Sequence, residues 1–148
     1  MRNQLDCAKN VGEVFSIVKS IVRECLGREQ AGLLVAVSDL GAYDSHFVGA
    51  LYNPSANTIV INKRGLSMPA HLLNYYLFHV IMHEYLHSLG FMDESQVKQM
   101  VSAITADYVG DVPSDLSEFT RFVPLGKPSG FDLDYVPGID RENSGYIL

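Results

Sequence analysis

Cysteine is scarce in this sequence: the 148 residues include two, Cys7 and Cys25. That excludes a disulfide-stapled scaffold and a cysteine-rich metal site. Both fall on the first predicted helix, 18 residues apart. A continuous helix would separate them by about 27 Å, beyond disulfide reach, so the expectation is two reduced, half-buried thiols. Basic clusters are lacking too. Net charge is −6, and no run of Lys or Arg exceeds two adjacent residues. Phosphate binding leans on basic patches, so nucleic acid is not the expected partner. No apolar run approaches the roughly 20 residues of a membrane span. The first residues, Met1 to Asp6, lack the apolar core of a signal peptide. The expectation is a cytoplasmic protein with no membrane partner.

What the sequence does contain is His83-Glu84-Tyr85-Leu86-His87, continued by Ser88-Leu89-Gly90-Phe91-Met92-Asp93. The pattern is H-E-x-x-H-x-x-G-x-x-D. On a helix, positions i and i+4 are offset by about 40° and about 6 Å. His83 and His87 therefore share a face and can hold one metal ion together. Glu84, beside the first of them, can take a proton from a water at that metal. Gly90 can end the helix with a left-handed residue, letting the chain turn back. Asp93, just past that turn, can supply a third ligand from a new direction. Glu94 competes with it, or else caps the next helix. Glu118 is a weaker third choice. Three protein ligands with one open position is a catalytic layout. The plain alternative is a helix that carries two His and a Glu by accident.

This pattern resembles the signature of zincin metallopeptidases, and its extended form resembles that of the metzincins. The resemblance covers His83 to Asp93. It implies one zinc ion held by His83, His87 and Asp93, with Glu84 as general base. It departs from the family pattern in two ways. The third ligand position is Asp rather than the commoner His. Metzincins also place a Met in a turn beneath the zinc, whereas Met100 is the only Met after Met92 and falls in a predicted helix. The resemblance thus points to a minimal, single-domain zincin.

Along the chain, Leu5, Ala8, Val11, Val14, Phe15, Val18, Ile21, Val22 and Cys25 recur at helical steps, predicting one amphipathic helix that ends near Gly27. Gly32 to Ser38 reads as a buried strand. Ser45–Tyr52 and Asn57–Asn62 read as a hairpin around Asn53-Pro54-Ser55-Ala56. In the second of these, Thr58, Val60 and Asn62 alternate with Ile59 and Ile61, as in a half-buried strand. A long helix starts at Ser67 or Met68, with Pro69 in its first turn, and carries the motif. Another runs from Asp93 or Glu94 to Tyr108. A helical turn is expected over Asp115–Phe122. Residues 1–121 form the predicted zincin-like catalytic domain. Residues 122–148 form a Pro/Gly-rich tail that packs on it, either filling part of the cleft and keeping an enzyme latent or covering the back of the sheet or core; in the first case Asp132, Asp134 or Tyr135 would approach the metal. The fold class is α+β: a small mixed sheet with a backing helix and the motif helix packed on one face. A hairpin strand at the sheet edge would offer its backbone to an extended peptide.

The implied function is a zinc-dependent peptidase acting on peptide or unfolded protein. An oxyanion donor is needed, and Tyr108, Tyr135, His46 and His71 are the candidates. His79, one turn before His83, is a proton shuttle or a packed side chain. Two other functions compete. A zinc-dependent endoribonuclease would share the H-x-x-x-H-x-x-G layout, but Glu84 and the acidic charge favour the peptidase. A binding module on a decayed zincin scaffold would have no need of Glu84.

Overall fold

The helix that carries the motif is buried on almost every side, and the other elements are arranged around it. The structure is a computed structural model and describes residues 2–42, 47–116 and 145–146. Helices α1 (Arg2–Cys7) and α2 (Val11–Leu26) precede strand β1 (Leu34–Ser38). Strands β2 (Ala50–Asn53) and β3 (Thr58–Asn62) form the expected hairpin. A 3-10 turn (Lys63–Ser67) leads into α3 (Ala70–Ser88), then α4 (Glu94–Tyr108) and a short strand β4 (Gly145–Tyr146). The sheet order is β2-β3-β1-β4, with β1 and β3 parallel and the outer pairs antiparallel. The architecture is α+β with a small mixed sheet. No helix among the described residues is long and apolar enough to cross a membrane.

A helix that is apolar all round belongs in a core. Accordingly α3 buries Leu72, Tyr76, Phe78, Ile81, Met82 and Tyr85 together with its motif residues. It packs against α1, α2, α4, β2 and β3. Val14, Phe15, Val18, Ile21 and Val22 of α2 share its core with Val35, Ile59 and Ile61 of the sheet. The register pairs Val35 with Ile59 and Val37 with Ile61.

Three expectations are corrected. The first predicted helix is two helices. Asn10 caps α2 by accepting from the Glu13 N–H (2.9 Å), and the Glu13 carboxylate accepts from the Lys9 N–H. These reciprocal bonds satisfy backbone donors at a new helix start. Second, Cys7 and Cys25 are free and exposed rather than half-buried. Third, β3 is buried along its whole length rather than on one face. It is central in the sheet, and Leu40 and Leu51 pack with Val60 on the face away from the helices. Buried Asn62 anchors that covering connection. Its amide donates to the Gly41 and Val48 carbonyls (3.1 and 3.0 Å) and its oxygen accepts from the Leu40 N–H (3.3 Å). A polar residue at a fully buried position is thereby satisfied.

Most of the tail and most of the expected 115–122 turn lie outside the described residues, as do His46, Glu118, Asp132, Asp134 and Tyr135. The described part of the tail, Gly145–Tyr146, pairs with β1, at the sheet edge opposite β2.

Where the 3-10 turn meets α3, Gly65 lies against the ring of Tyr76. A Cβ at position 65 would fall 2.8 Å from Cε2 and Cζ of that ring. The Tyr76 hydroxyl is buried without a hydrogen-bond partner among the described residues, and burial pushes its pKa up. Gly65→Ala should therefore destabilise by about 1–3 kcal/mol through overpacking. Tyr76→Phe should be neutral or stabilise by up to about 1 kcal/mol, since it removes an unsatisfied polar atom. Urea unfolding measures both; a neutral Gly65→Ala would contradict the packing described.

Candidate metal centre

The last turns of α3 and the start of α4 build the site. The α3 helix ends at a left-handed glycine, Gly90 (φ 104°). The Phe91 N–H donates to the Leu86 carbonyl (3.2 Å) and the Gly90 N–H to the His87 carbonyl (3.0 Å). This is the doubly bonded helix stop that a glycine at this position permits. A side chain here would strain the backbone. The turn brings α4 back beside α3, as the motif predicted.

His83, Glu84 and His87 are 0, 3 and 9% exposed, so this polar group is almost wholly desolvated. One ligand atom from each lies within 4.8 Å of the others. The two imidazoles meet edge to face at 4.9 Å. The Glu84 Oε2 lies 3.9 Å from the His83 Nε2. Burial holds the His83 imidazole below its ordinary pKa, opposed by the Glu94 carboxylate and reinforced by the charges of His87 and Lys98. A neutral imidazole is the form that ligates a metal.

The carboxylate nearest the two imidazoles is Glu94, the competitor to the expected Asp93. Asp93 is the N-cap of α4, and its side chain accepts from the Ser95 N–H (3.3 Å). Glu94 instead reaches both imidazoles. Its Oε2 is 2.8 Å from the His83 Nε2 and its Oε1 is 2.8 Å from the His87 Nε2. The reason is the register of the helix start. A cap residue bonds its own first turn, and the next residue points about 100° away around the helix axis, here back toward α3.

The donor set fits a cation. The His87 Nδ1 lies 2.7 Å from the Phe91 carbonyl. A carbonyl only accepts, so Nδ1 carries a proton there, and Nε2 is the nitrogen left to face the site, with a lone pair whenever the ring is neutral. That nitrogen is buried without a hydrogen-bond partner among the described residues. A lone pair held 2.8 Å from a carboxylate oxygen is unfavourable unless a positive charge joins them. A divalent ion held by His83, His87 and Glu94 would supply it, as would a proton on Nε2. The His83 Nδ1 is buried and has no such backbone support among the described residues.

Two proposed oxyanion donors are out of reach. His71 pairs with Asp115 (2.8 Å, exposed) and lies 12 residues before His83, about 18 Å along the helix. Tyr108 ends α4, 14 residues from Glu94, about 21 Å away. His79 stands one turn from His83, half-buried and outside the cluster of potential ligands. Burial, with help from His83, lowers its pKa to about 4. The folded state thus refuses a proton that the unfolded chain accepts. Stability should fall as pH drops from about 6.5 toward about 4 and be retained above that window. His79→Gln should remove this part of the acid loss, on the order of 2 kcal/mol after allowing for partial exposure. Urea unfolding of metal-free protein at pH 7 and pH 4.5 tests it; an identical acid loss in the variant would assign the effect elsewhere.

Sequence reasoning missed a set of supports from the α2–β1 connection. The Gln30 N–H donates to the Tyr85 hydroxyl (3.1 Å), and Arg28 reaches the Leu89 carbonyl across 61 positions of sequence. No local pattern signals such contacts. No protein-family model, curated protein or solved structure matches this chain.

Proposed function

We propose that this chain is a zinc-dependent peptidase of zincin-like design, hydrolysing bonds in peptides or unfolded protein. The observation that carries the reading is the meeting of two imidazole Nε2 atoms and the Glu94 carboxylate beside a buried Glu84. His83, His87 and Glu94 would hold the ion. When bound, zinc supplies an acidified water and polarises the scissile carbonyl. Glu84 takes the proton from the attacking water as the new C–O bond forms. It then gives that proton to the amine as the C–N bond breaks. Phe91, through its carbonyl, keeps the His87 ring oriented toward the site. A Glu ligand donates more charge than a third His would, which favours slow turnover. The edge strand β2 suits an extended substrate segment.

The test is cleavage of an unfolded protein by the purified chain, with a structured RNA in parallel. Chelation should abolish protein cleavage and added zinc should restore it. Cleavage of RNA alone would favour the endoribonuclease reading. Stoichiometric zinc with no hydrolysis of either would favour a binding module.

A further inference from the structure

We propose that Arg28 is a positioning residue for His87, acting through the Leu89–Phe91 turn. Gly27, with φ 66°, caps α2 and turns the chain, so Arg28 leaves the helix end toward α3. Its Nη2 donates to the Leu89 carbonyl, and its guanidinium lies over the Phe91 ring, 5.2 Å from the centroid. The two contacts grip both sides of Gly90. A cation at this point also complements the C-terminal end of α3. Phe91 is the residue whose carbonyl holds the His87 Nδ1–H at 2.7 Å. The chain of contact is therefore Arg28, Phe91, His87, with Nε2 as the output. Gly90 makes this turn inherently pliable, so an external clamp has something to fix. Arg rather than Lys suits the position. A flat guanidinium can donate in its plane to a carbonyl while its face stacks on a ring, which a compact ammonium does less well.

The metal consequence rests on the zinc reading above; the orientation of His87 does not. Two readouts separate them. In metal-free protein above pH 8, long-range nitrogen NMR should find His87 in its Nδ1–H tautomer. Arg28→Met should mix the tautomers. Zinc affinity, measured by competition with a chromophoric chelator, should fall about 10- to 100-fold in Arg28→Met, as for other partners that orient a ligand. Arg28→Lys should recover part of that loss, and the cobalt absorption spectrum should shift in the Met variant. Phe91→Leu removes the stacked ring but keeps the carbonyl. It should weaken zinc less than Arg28→Met, and the double variant should be weaker than wild type by less than the product of the two effects. Phe91→Leu also serves if Arg28→Met does not fold. A wild-type chain without zinc affinity would sink the peptidase reading, and the tautomer comparison would still decide the role of Arg28. An unchanged tautomer population, or unchanged zinc affinity in a zinc-binding protein, would overturn the proposal.

Discussion

Glu94→Ala should bind zinc more than about 100-fold more weakly than wild type, beyond the 10- to 100-fold range typical of residues that merely orient a ligand. Asp93→Ala should keep its zinc. The two carboxylates are neighbours in sequence, yet their surroundings assign them different work. Asp93 accepts from the Ser95 N–H at the start of α4, so its loss should cost about 1 kcal/mol of stability, as for other caps. Asp93→Asn should restore that cap. Glu94 stands 2.8 Å from both imidazole Nε2 atoms, so its loss would remove one of the three proposed ligands. His87→Ala should lose zinc as completely as Glu94→Ala. Metal content after dialysis, with chelator competition for affinity, measures all four variants. If Asp93→Ala loses zinc and Glu94→Ala retains it, the third ligand is Asp93 and the carboxylates must exchange roles when metal binds.

Glu84→Gln should keep both fold and zinc while hydrolysis falls by about 10²- to 10⁴-fold, the range typical for removing a general base. Glu84 is 3% exposed, and its Oε2 is 3.9 Å from the His83 Nε2. Gln has nearly the same shape, so packing around position 84 should survive. It has no basic oxygen to take the proton. Cleavage of unfolded protein, followed alongside zinc content and urea unfolding, separates loss of chemistry from loss of structure. Cleavage at the wild-type rate would remove Glu84 from the mechanism. Loss of zinc in this variant would make it a ligand instead.

The sequence by itself determined the features that depend on near neighbours. Four-residue spacing placed His83 and His87 on one face, because helix geometry is local. Gly90 announced the helix stop, because a positive φ is readily adopted only without a side chain. The turn at Asn53–Ala56 announced the β2–β3 hairpin. The α1–α2 break was also legible in Asn10 and Glu13, a cap and its partner three residues on, but the apolar periodicity runs across it. The tertiary structure alone decided the rest. Whether Asp93 or Glu94 faces the imidazoles depends on which residue begins α4 and on how that helix lies against α3; a shift of one residue rotates the side chain by about 100°. The burial of Val60 and Asn62 depends on Leu40 and its connection covering the second face of the sheet. The Arg28 clamp joins residues 61 positions apart. Such contacts arise from packing between elements, and periodicity within one element carries no information about which neighbour will cover it.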